Sequence, residues 1–182
     1  MPRSPSRARR RGRRYIGFGS WLSVARKPSY LLGRRLCVGQ MATILFVCVE
    51  NTFRSVLSEA LFNASAPPGW QAESAGVQAA TAINPAVIEL LQEIGIRLGS
   101  KTPRTVTPEM IARASRVVTF GCLDRCPIGA KDKGEDWPIP GATGRSMDQL
   151  RAIRDDLRRR IADLQTRLAS FAGPATSRPR KV

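Results

Sequence analysis

The run Ile44-Leu45-Phe46-Val47 is cut off by Cys48 and a five-residue stretch, Val49 to Phe53, after which Arg54-Ser55 leads into helical spacing at Val56, Leu57, Ala60, Leu61 and Phe62. A short, continuous apolar run with a sharp end reads as a buried strand, and apolar residues three and four apart read as a core-facing helix. Strand, tight loop and helix in immediate succession commit the chain to a βα unit and hence to a parallel sheet. The same loop constrains chemistry. A Cys, five residues and an Arg at a strand-to-helix turn can wrap the backbone N–H groups of Val49, Glu50, Asn51, Thr52 and Phe53 around a tetrahedral anion. Arg54 closes such a ring with a planar two-donor fork. Cys48 then lies beneath the anion, where the helix N-terminus and Arg54 favour thiolate over thiol, and Ser55 is placed to donate a hydrogen bond to that thiolate. The plain alternative is a buried cysteine ending a core strand beside a surface arginine.

The rest of the chain repeats the alternation. Trp70 to Ser74 reads as a second strand, following the breaker Pro67-Pro68-Gly69. Asn84-Pro85 opens a helix with apolar Val87, Ile88, Leu90, Leu91 and Ile94, stopped by Gly95, because Asn caps well and Pro fits the first helical position. Thr107-Pro108-Glu109 starts a shorter helix, Val117 to Phe120 a third strand, and Asp136 to Ile139 a short fourth. Met147 to Phe171 is expected to be one long terminal helix, with Leu150, Ile153, Leu157, Ile161, Leu164 and Leu168 on its buried face. The expected fold is α/β, a four-stranded parallel sheet with helices on both faces.

The charge is uneven. Of the formal +16, eleven positive charges lie in residues 1–40, which hold no acid, and three more lie at Arg178, Arg180 and Lys181, leaving the body at only +2. The extreme pI therefore describes the ends, and no specific nucleic-acid partner is expected. Residues 1–40 have arginines followed by an interrupted apolar stretch, a loose outline of a leader. They are read as a basic disordered extension or upstream sequence from a misassigned start, since Met41-Ala42-Thr43 directly precedes the first strand. Residues 41–172 form the domain and 173–182 a basic tail. No run of 18 apolar residues is present, so no membrane span is expected. There are four Cys and no His, which removes the commonest general base and metal ligand. No metal and no cofactor are expected, and thiols beside an anion loop suggest a reducing compartment, the cytoplasm.

The Cys48–Ser55 segment resembles the phosphate-binding loop of the low-molecular-weight protein tyrosine phosphatase superfamily, which includes the thioredoxin-coupled arsenate reductases. Ala72-Glu73-Ser74-Ala75-Gly76, Asn84-Pro85, Gly95-Ile96 and Arg116-Val117-Val118-Thr119 resemble further family segments, and the likeness runs from about Thr43 to Ala169. After the third strand comes Gly121-Cys122-Leu123-Asp124-Arg125-Cys126-Pro127. The phosphatases do not need cysteines there, whereas the reductases do. The resemblance implies that Cys48 attacks arsenate, Cys122 attacks Cys48 and releases arsenite, and Cys126 resolves the disulfide, which thioredoxin or another thiol reductant then reduces.

The chain departs from the family pattern in three places. Phe53 stands where many phosphatases carry a second loop cysteine, and Glu50 where many relatives carry glycine; Glu50 is expected to point away from the anion. Gly141-Ala142 falls where the family has the Asp-Pro whose Asp is the general acid, leaving Asp136 or Asp124 as possible substitutes. The resulting expectation is a monomeric arsenate reductase with Cys48, Arg54, Ser55, Cys122 and Cys126 as its catalytic residues and arsenate or a phosphate-like oxyanion as its ligand. The alternatives are a phosphatase of the same fold or an impaired oxyanion-binding module.

Overall fold

The computed structural model describes residues 41–127 and 129–171. The expectations for residues 1–40, which include Cys37, and for 173–182 lie outside these. Strand β1 (Ala42–Cys48) carries the apolar run and is buried along nearly its whole length. It pairs in parallel with β2 (Trp70–Gly76) on one side and β3 (Arg116–Thr119) on the other, and β3 pairs in parallel with β4 (Gly134–Asp136), giving the order β2-β1-β3-β4. The chain thus winds outward from β1 to β2, crosses back and continues to β3. The reversal leaves a crevice beyond the carboxyl ends of β1 and β3, the place where open α/β sheets hold their ligands.

The pleat of β1 divides the core. Ile44, Phe46 and Cys48 face one side, packed with α1 (Arg54–Asn63), α2 (Pro85–Gln92) and α4 (Met147–Phe171). Leu45 and Val47 face the other, packed with α3 (Pro108–Arg113), Cys122 and Ala130. Successive strand side chains point to opposite faces, so this division follows from the sequence once β1 is placed. On the first side, Phe46 stacks on Phe120 with ring centroids 6.4 Å apart, and Trp137 meets both rings at 6.1 Å. Helix α4 is pinned to α2 by the buried Arg154, which donates to Glu93 at 2.6 Å and to the Leu90 carbonyl at 3.3 Å.

The long terminal helix spans the residues expected of it. The fourth strand does not: it covers Gly134–Asp136 instead of starting at Asp136. The Trp137 N–H still donates to the Thr119 carbonyl at 2.8 Å, but the Ile139 N–H bonds to the Trp137 carbonyl, closing a tight turn that ends the ladder and brings the Ile139 carbonyl to Arg54. Strand β2 runs two residues beyond Ser74, since the pairing with β1 continues to Cys48↔Gly76.

Candidate active site

The loop after β1 is shaped by where its carbonyls go. The carbonyls of Cys48, Val49, Glu50 and Thr52 accept from the N–H groups of Val77, Gln78, Ala80 and Asn84 at 2.8–3.1 Å. Turning those oxygens outward turns the N–H groups inward. Among the described residues, the N–H groups of Val49, Glu50, Thr52 and Phe53 donate to no backbone carbonyl. Helix α1 continues the theme: it has no side-chain cap and no acid in its first turn. By contrast, α2 is capped by Asn84 and α3 by Thr107. Every helix begins with orphan N–H donors, and α1 leaves its own for something other than its own chain.

Those donors line a pocket of about 270 Å³ formed by Cys48, Val49, Glu50, Thr52, Phe53 and Arg54, and closed by Asn84, Gly141, Ala142 and Thr143. Cys48 is 3 % exposed. Its Sγ accepts from the Asn51 N–H at 3.2 Å and lies 3.0 Å from the Ser55 Oγ. The sulfur is thus fixed by the Asn51 N–H and the Ser55 hydroxyl just before the N-terminus of α1, at the floor of the pocket. Arg54 uses a single nitrogen, Nη1, to donate at 2.9 Å to both the Phe120 and the Ile139 carbonyls, and its guanidinium carbon lies 5.9 Å from the centre of the Phe120 ring. One nitrogen thus fixes the arginine against the loops after β3 and β4, and the rest of the fork remains for an anion.

Asn51 is the loop residue that the structure places differently. It is fully buried, adopts a left-handed backbone (φ 56°) and does not line the pocket. Its Nδ2 donates to the Ser55 and Ser74 hydroxyls at 2.9 Å, and its Oδ1 accepts from the Arg104 N–H at 3.0 Å. It is the brace that ties the loop to β2 and to the segment before α3. Sequence reasoning missed Ser74 and Arg104, which lie 23 and 53 residues away. Gly76 is a second brace, felt as an absence. A Cβ there would sit 2.7 Å from both the Asn51 nitrogen and the Val49 oxygen. Gly76→Ala therefore has to displace the loop. We expect a loss of about 1–3 kcal/mol in stability, read by thermal melting, and roughly tenfold weaker phosphate binding, read by calorimetry.

Cys122 and Cys126 meet each other but not Cys48. Cys122 is 2 % exposed, and its Sγ donates to the Val47 carbonyl at 3.3 Å. It belongs to the core on the α3 side of the sheet, whereas Cys48 faces the α1 side. The end of β1 therefore lies between the two sulfurs, and contact between them requires residues 121–126 to move. The hydrogen bond from Cys126 is the main reason the Cys122 thiol is pulled down from its ordinary value to about 7; burial opposes this, and the Phe120 backbone and the Arg54 charge assist it. The same bond, with burial, pushes Cys126 up. Cys122 is thus the thiolate of the pair above about pH 7 and Cys126 the thiol. In a thiolate absorbance titration, the wild type minus Cys122→Ser difference is expected to rise with a midpoint near pH 7. Cys126→Ala should move that midpoint up.

Neither candidate substitute for the acid reaches the pocket. Asp136 Oδ1 accepts from the Gly121 N–H at 2.8 Å and from the Thr119 hydroxyl, fixing the base of the cysteine loop. Asp124 is paired with Lys131 at 2.7 Å. Gly141 does line the pocket, and Glu50 is exposed at its rim. Among the described residues no group of three His, Cys, Asp or Glu is arranged to hold a metal ion, and no helix is long and apolar enough to cross a membrane.

Residues 43–125 match the model of the low molecular weight phosphotyrosine protein phosphatase family. Arsenate reductase 2 of Staphylococcus haemolyticus is 30% identical over 129 residues, spanning 69% of this chain and 97% of the relative. Among solved structures, the YwlE arginine phosphatase of Geobacillus stearothermophilus superposes with a TM-score of 0.65 at 30% identity, over 72% of this chain and 95% of that one. The thioredoxin-dependent arsenate reductase of Corynebacterium glutamicum superposes with a TM-score of 0.64 at 28% identity, over 74% of this chain and 65% of that one. A cysteine-bearing loop with its N–H groups turned inward, at the switch point of a four-stranded parallel sheet, thus comes with kinship in sequence and in fold: the chain belongs to the low molecular weight phosphotyrosine protein phosphatase family, alongside arsenate reductases.

Proposed function

We propose that this protein is an arsenate reductase, working as a cytoplasmic monomer through residues 41–172, with Cys48, Cys122 and Cys126 as its thiols. The N–H groups of Val49, Glu50, Thr52 and Phe53 and the Arg54 fork bind arsenate above Cys48. The Cys48 thiolate attacks arsenic, an As–O bond breaks and the oxygen leaves as water. The Cys122 thiolate then attacks the Cys48 sulfur. The S–S bond forms as the S–As bond breaks, and its electron pair stays on arsenic, which leaves as arsenite. Two electrons have passed from the two thiols to arsenic. Cys126 next displaces Cys48 from Cys122, leaving a Cys122–Cys126 disulfide for an external dithiol such as thioredoxin to reduce.

The observation that carries this reading is the packing of Cys126 against the buried cluster that holds Cys122, whose Sγ reaches the Val47 carbonyl one residue before Cys48, with the Cys122 thiol pulled down from its ordinary value. Two other features agree with it. The pocket is small, and the one aromatic residue in its lining, Phe53, is 3 % exposed, so no ring stands ready to stack on a phosphotyrosine. Gly141 stands where the family pattern has its Asp, so the acid expected of a phosphatase is missing from that position. The test is arsenite formation by reduced protein with thioredoxin, its reductase and NADPH. Arsenite forming at the rate of NADPH consumption supports the reading. A protein that hydrolyses phosphate esters and forms no arsenite is a phosphatase instead.

A further inference from the structure

Breaking an As–O bond under attack by Cys48 creates a departing oxygen that needs a proton, and the pocket shows a single group able to hold one. Of the ten residues lining it, Glu50 alone carries a carboxyl group. Its side chain makes no hydrogen bond or ion pair among the described residues, whereas Asp124 and Asp136 are both engaged elsewhere. Its backbone is fixed, since the Glu50 carbonyl accepts from the Ala80 N–H at 3.0 Å, so the side chain pivots from a defined point on the rim. Across the same pocket Gly141 presents no side chain, and nothing lies within 4 Å of where its Cβ would stand.

We propose that Glu50 is the proton donor of this site, acting from the nucleophile's own loop in place of an acid at position 141. The assignment rests on the reductase reading for its substrate. As the Cys48 Sγ–As bond forms and the As–O bond breaks, the Glu50 carboxyl proton passes to the departing oxygen, which leaves as water. Glu50 is left as a carboxylate and regains its proton from solvent. No electrons move in this step; reduction follows when Cys122 attacks.

The test is the rate at which arsenate consumes the Cys48 thiol, followed by rapid quench and alkylation across pH in wild type, Glu50→Gln and Glu50→Gln/Gly141→Asp, with phosphate affinity measured in parallel. Glu50→Gln is expected to lose at least about 10²-fold in rate together with the limb of the profile that falls as pH rises. Its phosphate affinity should stay equal or improve, which a merely structural role would not produce. The added Asp should restore the rate. A Glu50→Gln protein within twofold of wild type, with the same pH profile, overturns the proposal and leaves the reductase reading intact. If wild type consumes no Cys48 with arsenate, the reductase reading fails, and Glu50 is judged by the same profiles on phenyl phosphate. A protein inert to both overturns both.

Discussion

Arsenate added to the Cys122→Ser protein is expected to react once with Cys48 and then stop, with no arsenite released. Ser at 122 keeps a donor for the Val47 carbonyl, which now receives the Cys122 thiol at 3.3 Å. The fold should therefore survive at a cost of about 1–2 kcal/mol or less. What the hydroxyl cannot do is form the S–S bond that takes two electrons to arsenic. Multiple turnover should fall below detection while the first-step rate, governed by Cys48, Arg54 and Glu50, stays near wild type. Cys126→Ala differs in kind. Arsenite should still form once, but the Cys48–Cys122 disulfide should persist. Full turnover in Cys122→Ser would mean that the reducing equivalents reach arsenic by a route that bypasses Cys122.

Gly141→Asp introduced into the Glu50→Gln protein is expected to raise the hydrolysis of phosphate esters with poor leaving groups by roughly 10²- to 10⁴-fold over Glu50→Gln alone. Gly141 lines the anion pocket, and its carbonyl is held by the Arg145 Nε–H at 2.8 Å. Space stands open around a Cβ there, and its backbone is outside the left-handed region, so a side chain enters without strain. The gain should be small for 4-nitrophenyl phosphate, whose leaving group departs without a proton. A gain that is equal for both esters would point to improved binding and not to proton transfer. The change also separates the two alternatives to a reductase. A slow phosphatase accelerates, and a module that only binds oxyanions gains nothing.

The parts of this fold that were legible in the sequence are those in which local pattern and tertiary packing agree. The apolar run of β1, the helical spacing of α1 and α4, and the Asn84-Pro85 start of α2 each announce their element within a few residues. The Cys48–Arg54 spacing and the strand-to-helix context were readable for the same reason. What escaped is nonlocal and polar. The hydrogen bonds of Asn51 to Ser74 and to the Arg104 N–H join three separate segments through side-chain geometry that has no periodicity to read. The shift of β4 arises because residues 137–139 turn to offer a carbonyl to Arg54. The separation of Cys48 from Cys122 was within reach: Cys48 shares the pleat of Phe46, whereas Cys122 bonds to the backbone of Val47. Two thiols can follow neighbouring strands and still face away from each other.

That separation makes the movement of residues 121–126 the point on which the relay stands. The decisive measurement is disulfide mapping by mass spectrometry after mixing fully reduced protein with arsenate, or with phosphate as control, and quenching with an alkylator at successive times. A Cys48–Cys122 disulfide that appears first and gives way to Cys122–Cys126, with arsenate only, is the predicted result. Three cysteines that remain fully alkylatable at every time, with no arsenite formed, would contradict it.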